Sequence, residues 1–163
     1  MKIYFKENQK FTQWWLWTIL IGVTLIPIYG IYKQIIIGEQ FGDNPLSNFG
    51  LILFLIFMLA FIGCFGMMQL STEINDVSIK IKFFPFTNKN IKWETIKSVE
   101  VVNYGFAGGW GVRTGTKYGT IYNTAGNKGI AIVLKNGNKF CIGTHKEDEL
   151  KEVLREAKKQ PRL

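Results

Sequence analysis

Histidine occurs once and cysteine twice in this chain of 163 residues. A single imidazole leaves little for a histidine-based metal site or a Ser-His-Asp triad. Two cysteines exclude a disulfide-dense secreted scaffold. Acidic side chains are few, 12 Asp+Glu against 20 Lys+Arg, for a formal net charge of +8. The chain lacks an Asn-x-Ser/Thr sequon and a G-x-x-x-x-G-K-[ST] phosphate loop. It does not lack apolar residues: 47% are hydrophobic and 13 are Phe, which argues against disorder. Charge is missing altogether from two long stretches, and these set the class of protein.

Residues 16–32 read LWTILIGVTLIPIYGIY and residues 49–68 read FGLILFLIFMLAFIGCFGMM, 17 and 20 residues without a charge. A helix rises about 1.5 Å per residue, so about 20 residues cross the ~30 Å hydrocarbon core of a bilayer. The second stretch meets that length. The first meets it when Trp14 and Trp15 serve as its interfacial start, giving expected spans over 14–32 and 49–68. A soluble amphipathic helix would show a polar stripe every three or four positions, and neither stretch does. Phe11, Trp14, Trp15 and Trp17 cluster at the start of the first stretch, with Tyr29 and Tyr32 at its end, as suits the headgroup layer. Pro27 is tolerated in a membrane helix whose neighbours satisfy the freed carbonyl. A cleaved signal peptide would have a shorter apolar run ending in small residues. Here the run ends in Ile31-Tyr32-Lys33, so an uncleaved span is expected.

Charge sets the expected orientation. Residues 1–13 carry a net +2, residues 33–47 a net −1 and residues 69–163 a net +7. Basic flanks stay on the cytoplasmic side. The expected layout is a cytoplasmic tail over 1–13, a two-helix transmembrane hairpin with an extracytoplasmic loop over 33–48, and a cytoplasmic domain over 69–163. Both termini are then cytoplasmic, at the inner membrane of a bacterium.

In that domain Val77, Ile79, Ile81 and Phe83 alternate with Ser78, Lys80 and Lys82, the period of a half-buried strand. Pro85 and the polar cluster 87–90 are expected to break it. Residues 91–102 restart as two short strands, and Thr120-Ile121-Tyr122 follows a Gly-rich stretch. Two apolar strands, 130–135 and 139–142, flank Asn136-Gly137, a signal for a two-residue type I′ hairpin turn. That turn would place Val133 opposite Phe140 and Ala131 opposite Ile142. Over 146–159 a helix is expected, with a Thr144/Glu147 capping box and an apolar face of Leu150, Val153, Leu154 and Ala157. Acidic residues fill its first turn, Arg155, Lys158 and Lys159 its last, and Pro161 closes it.

A run of short strands followed by one amphipathic helix resembles the bacterial pleckstrin-homology-like (PH-like) domains found beside paired membrane helices. The resemblance rests on Ile91-Lys92-Trp93-Glu94-Thr95-Ile96-Lys97-Ser98-Val99, Gly111-Val112-Arg113, Gly126-Asn127-Lys128-Gly129-Ile130 and Ile142-Gly143-Thr144, and covers residues 70–158. It implies a mainly-β fold, a bent seven-stranded antiparallel sheet capped by a C-terminal helix. It also implies a binding or assembly module without catalysis.

The Gly-rich segment 105–119 departs from a dinucleotide fingerprint, because the third glycine comes one residue late and no helix follows. Two readings stay open: a bulged strand connection, or a partner- or lipid-contacting loop using Phe106, Trp110, Arg113 and Lys117. Lys80 and Lys82 are further candidates for lipid contact, each such lysine contributing about 1 kcal/mol of attraction to an anionic surface. His145 and the run Glu147-Asp148-Glu149 read as an exposed side chain and a helix-dipole feature. No catalytic residue, metal or cofactor is expected. The small residues Ala60, Gly63, Cys64 and Gly66 could let membrane helices approach closely, the partner being the first span or another copy of the chain in a homo-oligomer. Expected partners are the bilayer and another membrane or cytoplasmic protein, with no nucleic acid. The rival reading is a small subunit of a transport or channel complex, for which Thr18 and Thr24 are the available polar groups.

Overall fold

A computed structural model describes residues 2–106 and 108–159, which divide into two compact units, 12–67 and the residues on either side. The expected Pro161 stop and the Lys158 and Lys159 side chains lie outside the described residues.

The helical unit contains α1 (Trp14–Ile31) and α2 (Asn48–Met67). Helix α1 does not end at Tyr32. It runs on as a π-helical stretch, Tyr32–Ile37, until Gly38 turns left-handed at φ +84°. The continuous helical length is 24 residues, and both helices are long and apolar enough to cross a membrane. The simple two-helix hairpin with a loop over 33–48 is therefore not formed. Helix extends through 33–37 of that loop, and Gln34 pins its far end by donating to the Leu46 carbonyl at 2.8 Å and to Asn48 Oδ1 at 2.7 Å. Leu20, Thr24, Pro27 and Gly30 form the buried seam of α1, while apolar residues on its other sides stay exposed. Of the small-residue patch, Gly66 lies against Trp17 of α1, while Gly63 has open space beside it.

In the β unit, the first sheet has the order β1-β2-β3-β4: β1 (Ile3–Lys10), β2 (Gln69–Asn75), β3 (Ser78–Phe84) and β4 (Thr87–Lys92), all antiparallel. The second has the order β5-β8-β9-β7-β6: β5 (Ile96–Asn103), β6 (Gly111–Thr116), β7 (Gly119–Asn123), β8 (Lys128–Leu134) and β9 (Lys139–Gly143). Helix α3 (Glu147–Lys159) packs on β1 and β5, with Leu150 and Leu154 buried. The inward faces supply a core of Phe5, Leu70, Ile74, Ile79, Ile81, Phe83, Ile121, Ile130, Ile132 and Ile142. The mainly-β expectation holds, with two sheets of four and five strands in place of one bent sheet, and with β7 and β9 parallel.

Four sequence readings are corrected. Residues 1–13 are not a tail: Ile3–Lys10 is an edge strand whose Phe5, Glu7 and Gln9 point inward and are buried. The polar cluster 87–90 does not break the sheet but continues it as β4, paired along β3. The β8–β9 register is shifted by one residue, so Val133 faces Lys139 and Ile132 faces Phe140. The loop holds three residues, because Leu134 N–H bonds the Asn138 carbonyl at 2.8 Å and Gly137 takes φ +88°, the left-handed position of a three-residue hairpin. Finally, the capping box is half made. Thr144 Oγ1 accepts from Lys146 N–H at 3.0 Å, but Glu147 turns to Lys128 and Lys151.

The partner on the other side of that cap is Glu7. Its carboxylate accepts from the Thr144 hydroxyl at 2.6 Å and from His145 N–H at 2.8 Å. Two residues on, Gln9 donates to the Gly143 carbonyl at 2.8 Å and accepts from the Thr124 hydroxyl at 3.0 Å. The first strand of the chain thus seals the start of its last helix.

Lys10 pairs with Gln69, so the chain leaves and re-enters the β unit on neighbouring strands. Replacing residues 12–67 by Asn-Gly is expected to join β1 and β2 as an ordinary hairpin. The product should be a soluble, cooperatively unfolding β protein by circular dichroism. An aggregated or unfolded product would contradict the independence of the unit.

Candidate functional site

The residues singled out in the sequence lie in three separate places. Phe106 stands 89% exposed in the loop between β5 and β6. Around it Gly105, Gly108 and Gly109 take φ of +68°, +76° and +123°, conformations that other residues rarely adopt. Trp110 is half-buried at the end of this loop. Arg113 folds back and donates from Nη2 to the Trp110 carbonyl at 3.0 Å, a bond that helps hold the loop. Much of the Gly-rich segment is edge strand β6, whose pairing with β7 is irregular between Arg113 and Thr116. Lys117 sits in the turn at the opposite end of β6 from Trp110, its Nζ 4.8 Å from the centre of the Tyr118 ring.

Lys80 and Lys82 are on the outer face of the first sheet. Lys80 Nζ meets Glu73 Oε1 at 3.0 Å, and that bond holds the Glu73 carboxyl below the usual range. Lys82 is exposed between Ser71 and Asn88. With Lys6 and Lys10 exposed on β1, this face is polar and basic.

The fold gathers a different set of lysines. Lys89, Lys117 and Lys139 line an open cleft of about 660 Å³ with Thr116, Thr120 and Asn138. Lys89 is on the inward side of β4, and its Nζ lies 4.0 Å from the centre of the Phe140 ring and 5.7 Å from that of Tyr122. The cleft is therefore closed on one side by a cation over aromatic faces. Gly119 at φ +77° brings the β6–β7 turn against the Lys139 backbone. Among the described residues no acidic side chain lines this cleft. Thr116 Oγ1 donates to the Gly119 carbonyl at 2.8 Å and so shapes the turn, while three ammonium groups with the Thr120 hydroxyl and the Asn138 amide suit a carboxylate or phosphate-bearing partner. Sequence reading missed Lys139 because the parallel β7–β9 pairing that places it has no local signature.

His145 is exposed, as expected, with its backbone rather than its ring engaged. Among the described residues no group of three or more His, Cys, Asp or Glu could hold a metal ion. Burial pushes the Cys141 thiol up to about 12, which leaves it an inert core group. Hydrogen bonds from Lys128 and Lys151 hold the Glu147 carboxyl below its ordinary 4.5. A depressed carboxylate stabilises the fold at neutral pH, and that contribution is lost as pH falls from 4.5 through the lower folded value. Glu147→Gln is expected to flatten the acid limb of the stability profile slightly, as read by thermal unfolding between pH 3 and 7 (roughly the carboxylate range).

Comparison with known proteins finds no family model, no curated protein and no solved structure that matches this chain.

Proposed function

We propose that this protein is a two-span membrane protein that anchors a non-enzymatic, PH-like interaction module at the cytoplasmic face of a bacterial membrane. One observation carries the reading: a single β unit is built from the chain segments on both sides of the two apolar helices. Strand β1 and strands β2 to β9 must then lie on one side of the membrane, which an even number of crossings satisfies. Cleavage after the first helix would cut β1 from its sheet, so the fold also favours an uncleaved span. The net +2 and +7 of the flanks support the cytoplasmic side. The lysine-lined cleft gives the module a surface for an acidic protein partner.

The channel-subunit reading is weaker. The Thr18 and Thr24 hydroxyls donate within α1, to the Trp14 carbonyl at 3.0 Å and the Leu20 carbonyl at 2.8 Å. Both hydroxyl protons are thus committed to the helix backbone, and neither α1 nor α2 carries a charged side chain to line a pathway.

Full-length protein with a C-terminal tag should resist alkaline carbonate extraction, and protease should cut the tag in inverted but not in right-side-out vesicles. Release by carbonate, or the reverse protease pattern, would overturn the membrane or the orientation reading. A photo-crosslinking residue at Asn138 should capture an acidic partner that Lys89→Glu with Lys139→Glu abolishes. Unchanged capture would remove the cleft from the reading.

A further inference from the structure

The turn between β3 and β4 carries two exposed aromatic rings. Phe84 is 42% and Phe86 58% exposed, and the Phe86 ring leans on buried Phe83 with centroids 5.7 Å apart. Strand register fixes where this turn lies. Phe84 pairs with Gln69, and Gln69 pairs with Lys10. Lys10 is the last residue of β1, and Gln69 the first of β2. The turn therefore occupies the end of the sheet at which the chain passes to and from the apolar helices. Neighbouring strands lie about 4.8 Å apart, so Phe84 is one strand from the β2 attachment.

The link itself is short. Helix α2 ends at Met67 and β2 starts at Gln69, with Met68 alone between them. If α2 crosses the bilayer, Gln69 lies in or just above a headgroup layer roughly 5–8 Å deep, and the Phe84–Phe86 tip beside it is within the same layer. The chemistry around the tip suits that place. Lys82 and Lys10 are exposed on the face that carries Phe84, so cations flank the rings as they do in interfacial segments. At the other end of the sheet the β2–β3 turn is polar, with Asn75 Oδ1 accepting from Val77 and Ser78 N–H, and Val77 is its exposed apolar residue.

We propose that the Phe84–Phe86 hairpin tip inserts into the anionic headgroup layer of the membrane that the chain's own helices cross, forming a third point of membrane attachment that fixes the tilt of the β unit. The proposal rests on the two-span reading.

Spin-label accessibility of full-length protein in phosphatidylcholine/phosphatidylglycerol nanodiscs tests it. In a Cys64→Ala background, labels are placed by Phe86→Cys, Phe84→Cys or Val77→Cys, while buried Cys141 stays unlabelled. Native Cys64 is labelled separately as the marker for α2. Expected is a several-fold higher ratio of oxygen to nickel-chelate accessibility at 84 and 86 than at 77, with 64 also sheltered. If 64 is sheltered while 84 and 86 match 77, the insertion fails and the two-span reading stands. If 64 is itself open to the chelate, the two-span reading fails and the insertion with it. The two aromatic positions check each other against disruption by one label.

Discussion

Removing residues 2–10 is expected to unfold the β unit even though every residue from 68 onward is retained. Phe5 is 2% exposed, and burying such a ring contributes about 2–3 kcal/mol. Glu7 and Gln9 partner Thr144, His145, Gly143 and Thr124, and stranding a buried polar group costs about 1–3 kcal/mol. Deletion removes these together and uncovers the edge of β2, a template for aggregation. Against a total stability of about 5–15 kcal/mol, that combination is decisive. A graded form of the test is Glu7→Ala, which strands the buried Thr144 hydroxyl while the His145 N–H can turn to water. The expected loss is about 2 kcal/mol, or about 10 °C in Tm for a unit of this size. Near-ultraviolet circular dichroism and limited proteolysis of the detergent-solubilised chain would read both. An unchanged melting curve after the deletion would mean that β1 is ornamental and that the helix cap lies elsewhere.

Strand β1 escapes sequence reading for the same reason that it matters. Its inward positions are Phe5, Glu7 and Gln9, so two of the three positions expected to be apolar are polar. Those side chains are buried because their partners arrive from residues more than a hundred positions away. Strand β4 is hidden likewise: of its inward residues Thr87, Lys89 and Ile91, one is apolar. By contrast, the apolar helices depend on composition over some twenty residues and need no tertiary context. Helix α3 is legible from its cap residue, its acidic first turn and its apolar spacing. Local chemistry also fixes the presence of the Asn136-Gly137 turn, but its length is decided by how β8 and β9 pack, and one residue of difference moves every opposite pair. The candidate residues fail to converge because hairpins and parallel pairing, not sequence proximity, assemble the lysine cleft from Lys89, Lys117 and Lys139.

Gly129→Ala is expected to be among the most damaging single methyl additions at the described glycines. Gly129 lies on β8 between two partners, Val102 on β5 and Gly143 on β9. A Cβ there would run into the Ile142 carbonyl and sit 3.2 Å from Cys141 Sγ. Backbone cannot swing aside as a side-chain tip can, so β9 must separate from β8. That movement is resisted from beyond, because Gly143 is itself closely packed, with Asn123 Cβ 2.9 Å and Tyr104 Oη 3.2 Å from the place its own Cβ would take. Overpacking of this kind costs about 1–3 kcal/mol where neighbours can yield and more where they cannot. An expected loss of about 3 kcal/mol or more should lower Tm by over 10 °C and raise hydrogen exchange across β8 and β9. The control is in the same chain. A Cβ at Gly22 in α1 meets nothing within 4 Å, and alanine has the higher helix propensity, so Gly22→Ala should leave the melt of the β unit unchanged. Equal behaviour of the two variants would show that the β8–β9 approach is softer than its geometry indicates.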